Sequence, residues 1–158
     1  MKRVLPLLAL VLVACPHGPP TSEPANSPVP AGTAGASSPR AALESFLASI
    51  RAQDLQAMSI VWGTSKGPAR DQMTRDYLEK AELTMQCLFA HDRFAVTGET
   101  RSSDTTRTLA VTLTKGNVTK STSFSTVHGP ANRWYVNDAD VIAVGNELCR
   151  ASGSPGKP

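Results

Sequence analysis

AALESFLASIRAQDLQAMSIVWG, residues 41–63, is the stretch from which the fold is read. Ala42, Leu43, Phe46, Leu47 and Ile50 recur at spacings of three and four and line one side of a helix, while Arg40, Glu44 and Arg51 face away. Ser38-Pro39 opens it: a serine accepts backbone N–H bonds at an N-cap, and proline suits the first helical position. Asp54 is a second N-cap, and Leu55, Met58, Val61 and Trp62 repeat the helical spacing until Gly63 stops it. The stretch therefore predicts two helices, each buried on one side and hinged at Gln53-Asp54.

Downstream, GTSKGP (63–68) reads as a loop, and Pro68 as the start of a third helix. The apolar positions of that helix are Met73, Tyr77, Ala81, Met85 and Leu88, with a break near Glu79-Lys80. His91-Asp92 ends it. From Arg93 the period changes to two. Phe94 and Val96 begin one strand, and Leu109, Val111 and Leu113 alternate in the next. Gly116-Asn117 turns, Val118 to His128 returns, 129–132 turns again, and Arg133 to Val136 is the last clear strand. Fifteen of the thirty residues 97–126 are Ser or Thr, which predicts an antiparallel meander with one wet face. Helices first and a meander after them is an α+β order.

The ends are of another kind. Lys2 and Arg3 precede an apolar segment, Val4 to Ala14, that is too short to span a bilayer, for which about 20 residues are needed. It reads as a signal peptide, residues 1–14. Leu12-Val13-Ala14-Cys15 resembles a bacterial lipobox, which implies cleavage before Cys15 and acylation of that residue. By resemblance to Gram-negative lipoproteins, Pro16 rather than Asp after the cysteine implies the outer membrane, facing the periplasm. Residues 15–37 hold six prolines and three glycines with Val29 the one large aliphatic residue, a composition that buries too little to fold. They are expected to form a disordered tether for a single domain over 38–150, followed by a disordered tail, 151–158.

With Cys15 acylated, Cys87 and Cys149 remain. An extracytoplasmic compartment permits a disulfide between them; the alternative is two buried free thiols. Without residues 1–14 the chain carries fourteen basic against thirteen acidic residues, and no Lys/Arg cluster marks a nucleic-acid footprint. His17, His91 and His128 lie 74 and 37 residues apart, a spacing that assigns no metal, and no phosphate, dinucleotide or serine-hydrolase motif implies a cofactor or such an activity.

The run 41–63, a third helix, a hairpin, a curved sheet and RWYVNDADV (133–141) together look like the nuclear-transport-factor-2-like cone fold, over about residues 38–145. That resemblance implies a sheet curled around the first helices, a pocket within the curl, and pairing of sheet faces in a homodimer. Ketosteroid-isomerase-like relatives place a base and acid donors in the pocket. By strand parity His128 goes with Phe124 and Thr126, and Asp138 with Trp134 and Val136, while Tyr77 lies on the apolar side of the third helix. These three are the candidate catalytic residues. The leading expectation is a membrane-anchored, noncatalytic binding or protein-interaction module holding a small ligand or a partner. The alternative is a lyase- or isomerase-type enzyme of the same pocket.

Overall fold

The computed structural model of the chain describes residues 34–152. The predicted signal peptide, Cys15 and most of the predicted tether lie outside the described residues, as do 153–158. The fold is α+β, with helices packed on one face of an antiparallel sheet.

Helix α1, Pro39–Ala52, is capped by Ser38, whose hydroxyl accepts from Ala41 N–H at 3.1 Å, and it buries the predicted stripe from Ala42 to Ile50. Gln53 takes a left-handed conformation at its C-terminal end and donates to Ile50 O, and Asp54 caps α2, Leu55–Val61, from Ala57 N–H at 2.9 Å. The hinge at Gln53-Asp54 is thus two caps back to back.

The segment read as a loop is a two-residue hairpin, β1 (Gly63–Thr64) against β2 (Gly67–Pro68). Pro68 ends that hairpin and does not open a helix. A 3-10 turn, Ala69–Asp71, follows, and α3 runs unbroken through Glu79-Lys80 from Arg75 to Leu88. Gln72 holds the hairpin: its Nε2 donates to Gly67 O (2.5 Å) and Pro68 O (3.1 Å), and its Oε1 accepts from Thr64 Oγ1 (2.7 Å). Gly63 is obligatory there, because a Cβ would sit 2.2 Å from Gly67 O.

The main sheet is a meander in the order β3 (Arg93–Arg101), β4 (Thr106–Lys115), β5 (Val118–Gly129) and β6 (Arg133–Ala139). The β4–β5 turn has a positive φ at Gly116 and none at Asn117, as a type II′ hairpin turn with glycine first requires. Register shifts between Val96 and Gly98 and opposite Ser125/Thr126 are β-bulges, which bend the strands that carry them. Two short helices missing from the sequence reading follow: α4 (Val141–Val144), capped by Asp140, and α5 (Glu147–Ser152). Helix α5 therefore extends beyond the predicted domain end at 150. The fold also begins before 38, because Ala36 is buried and bridges to Trp134, and the Arg133 guanidinium donates to Ala34 O and Gly35 O.

Leu109, Val111, Leu113 and Phe124 cover the inner face of the sheet, and α1, α2, the end of α3, α4 and α5 close over it. Cys87 and Cys149 form a disulfide that fastens α5 to α3, and Lys120 pairs with Glu147 to fasten it to β5. The hydroxyls of Thr112, Ser121, Ser123 and Ser125 lie on the outer face.

Candidate binding site

The inside of the curl is filled. Phe124 meets Phe89 with ring centroids 4.9 Å apart and Phe46 edge-on at 6.1 Å, and none of the three is more than 1 % exposed. The pocket that the fold resemblance led one to expect is thus occupied by aromatic and leucine side chains.

At the rim of this face Arg107, Thr126, His128 and Trp134 share one side of the sheet. The His128 ring stands edge-on to Trp134 at 5.1 Å, its Nε2 lies 2.7 Å from Asn132 Oδ1, and Arg107 lies over the Trp134 ring at 5.4 Å. His128 therefore points to the side its parity predicted. Asp138 does not follow it. The bulge puts one extra residue into β6, so Asp138 pairs with Ser125 of the outer face while Val136 pairs with Thr126 of the inner one. A one-residue slip reverses every later side chain. Its carboxylate accepts from Ala139 N–H at 2.8 Å. Tyr77 is 63 % exposed, because α3 turns Leu78, Glu82 and Met85 inward instead. His128, Asp138 and Tyr77 are not brought together.

Two polar grooves lie outside the curl. The first, about 340 Å³, is walled by the end of α1, the end of α3 beside the disulfide, the end of β4 and the end of α5. His91 and Gln86 line it. The His91 ring is 3 % exposed, packs edge-on against Phe94 at 5.6 Å, and places Nδ1 2.9 Å from Phe89 O. A carbonyl only accepts, so Nδ1 carries the hydrogen and Nε2 is left as a bare acceptor; among the described residues it has no partner, nor has the buried Gln86 Nε2. Burial lowers the pKa of His91, and Arg51 and Lys115 add to that, against the opposing pull of the Phe89 carbonyl and Asp92. Asp92 grips the neighbouring turn through Gly116 N–H (2.8 Å) and Lys115 Nζ (2.9 Å), contacts that hold its own carboxyl below the usual range.

The second groove, about 430 Å³, lies between α2 and α3, with Arg70 and Arg75 on its walls. Glu82 lines it, 3 % exposed and with Oε1 unpartnered. Burial, reinforced by Glu79, pushes its carboxyl up to about 7. Neither His91 nor Glu82 was singled out as a site residue from the sequence. The signal for Glu82 was an acid interrupting the stripe Leu78, Glu82, Met85, Phe89, visible once α3 is phased from Arg75.

Among the described residues no group of three or more His, Cys, Asp or Glu side chains is arranged to hold a metal, and no helix is long and apolar enough to cross a membrane. No protein-family model and no curated protein matches the chain. Among solved structures it is similar to an NTF-2-like protein of unknown function from Shewanella oneidensis MR-1, at 11 % identity and a TM-score of 0.38, over 61 % of this chain and 93 % of that one.

Proposed function

We propose that the chain is a noncatalytic binding module of the bacterial cell envelope, anchored by acyl chains on Cys15 and facing the periplasm. One observation carries the noncatalytic part: the inside of the curl is packed with Phe46, Phe89 and Phe124, while the unpartnered polar groups sit in open grooves outside it. A buried donor or acceptor without a partner costs about 1–3 kcal/mol, and a ligand that satisfies it recovers part of that cost. The enzyme reading keeps one observation of its own, since a carboxyl poised near neutrality, as Glu82 is, suits a general base.

Native mass spectrometry of the full chain, purified from the envelope of an oxidising host and released from detergent, tests the proposal. The expected result is a small polar adduct that survives gentle ionisation and is lost on harsher activation. A bare chain in every preparation overturns ligand binding. The assembly mass from the same spectrum decides whether sheet faces pair in a homodimer, an association that would rest on small hydroxyl side chains.

A further inference from the structure

We infer that the groove between the ends of α1, α3 and β4 is a binding site for a small oxyanion, held by Arg51, Lys115 and Gln86 with His91 as its fourth contact. This rests on the reading of the chain as a binding module and names the ligand class of one of its grooves.

Charge comes first. Arg51 reaches the groove from α1 and, among the described residues, makes no ion pair. Lys115 reaches it from β4. The α3 wall contributes Leu83, Gln86 and Cys87, and the α5 wall contributes Ser152, none of them charged. Among the described residues no carboxylate lines the groove; the nearby Asp92 already spends both oxygens on Lys115 and Gly116. The field in the groove is therefore positive, from two cations against one acid at its edge.

Hydrogen bonding selects the ligand further. Gln86 Nε2 is a buried donor in need of an acceptor, which an oxyanion supplies. His91 Nε2 is a bare lone pair, which an oxyanion oxygen would repel unless a proton lies between them. An anion in the groove offsets the opposition of Arg51 and Lys115 to a charged imidazole. His91 then takes up one proton from solvent, and Nε2–H becomes a charge-assisted donor to the anion. Binding of the phosphate dianion therefore consumes a proton, and it tightens as pH falls toward neutrality, below which phosphate itself takes up that proton in solution.

The test is a titration of the full chain with inorganic phosphate, followed by ¹⁵N NMR of the His91 ring and the Gln86 amide, with sodium chloride at matched ionic strength beside it. Phosphate is expected to move both signals saturably, shifting Nε2 from a bare nitrogen toward an N–H. The apparent Kd is expected to fall by up to about tenfold per pH unit between pH 8 and 7. His91 is buried, so replacing it disturbs packing as well as binding, and the deciding variant is Arg51→Gln on the exposed end of α1. It is expected to weaken binding roughly fivefold, the equivalent of about 1 kcal/mol, with an unchanged melting temperature. Phosphate that leaves both signals still, or moves them no more than chloride, overturns the site. If native mass spectrometry still shows an adduct in that case, the anion site alone falls; if it shows none, the binding reading falls with it.

Discussion

Glu82 occupies a position on α3 where its helical neighbours on the same side are Leu78, Met85 and Phe89, and where its free oxygen has no partner. Its pKa in the fold, about 7, lies above the ordinary value of 4.5. The folded state therefore holds the proton more tightly than the unfolded one, and the resulting stability is fully present below pH 4.5 and lost as pH rises through 7. Glu82→Gln, which cannot ionise, should melt close to the parent at pH 4.5 and above it at pH 8.5, by on the order of 3 kcal/mol at most. Calorimetry at the two pH values checks this, and an equal shift at both would assign the effect to packing alone. His91 acts in the opposite sense. Its lowered pKa makes the unfolded state the better proton acceptor, so its contribution is present above 6.5 and lost as pH falls below it. The two slopes oppose each other below pH 6.5, and removing Glu82 should reveal the rise of stability with pH that His91 imposes.

At the scale of elements, what could be read from the sequence was what has a period. Helices α1 and α2 and the β4–β5 hairpin each repeat their burial pattern at least twice between recognisable caps or turns, and each was placed to within a few residues. The β1–β2 hairpin has two residues per strand and therefore no period, so Pro68 passed for a helix start and α3 was phased wrongly, which sent Tyr77 inward and Glu82 out of sight. The bulge in β6 leaves no mark on the pattern and reversed Asp138. Helices α4 and α5 are too short to show amphipathicity and are held by tertiary contacts: Leu148 is fully buried, and Cys149 is bonded to Cys87. Gly63→Ala should destabilise the fold by about 2 kcal/mol or more in urea unfolding, because the new methyl meets backbone and not a side chain that can swing away. Replacing both Cys87 and Cys149 by Ser opens a loop of 62 residues, for which chain entropy alone gives about 4 kcal/mol. Hydrogen exchange should then quicken first in α5, while the β4–β5 amides keep their protection.

For the whole molecule, two unlike parts have to be joined: a folded unit whose described residues begin at 34, and an N-terminal stretch for which residues 12–16 are proposed to carry an acyl anchor. Arg133 fixes the junction from inside the fold by donating to the carbonyls of Ala34 and Gly35, and Ala36 pairs with Trp134, so the chain leaves the sheet at the β6 edge. The proposed anchor lies at the other end of the intervening stretch. At about 0.8 kcal/mol per buried methylene, two or more acyl chains on Cys15 would hold the molecule to a bilayer without help from the folded unit. The folded unit should accordingly be indifferent to the anchor. Cys15→Ser, expressed in a Gram-negative host, should no longer incorporate labelled palmitate, while the melting temperature and the Cys87–Cys149 bond of the purified protein stay as they were. Pro16→Asp should keep the palmitate but move the chain from the outer-membrane to the inner-membrane fraction, because the residue after the acylated cysteine governs sorting in the lipoproteins that this segment resembles. Palmitate on the Cys15→Ser variant would place the acyl chain elsewhere and remove the anchor. A Pro16→Asp chain that still fractionates with the outer membrane would leave the anchor in place and take away the assigned membrane.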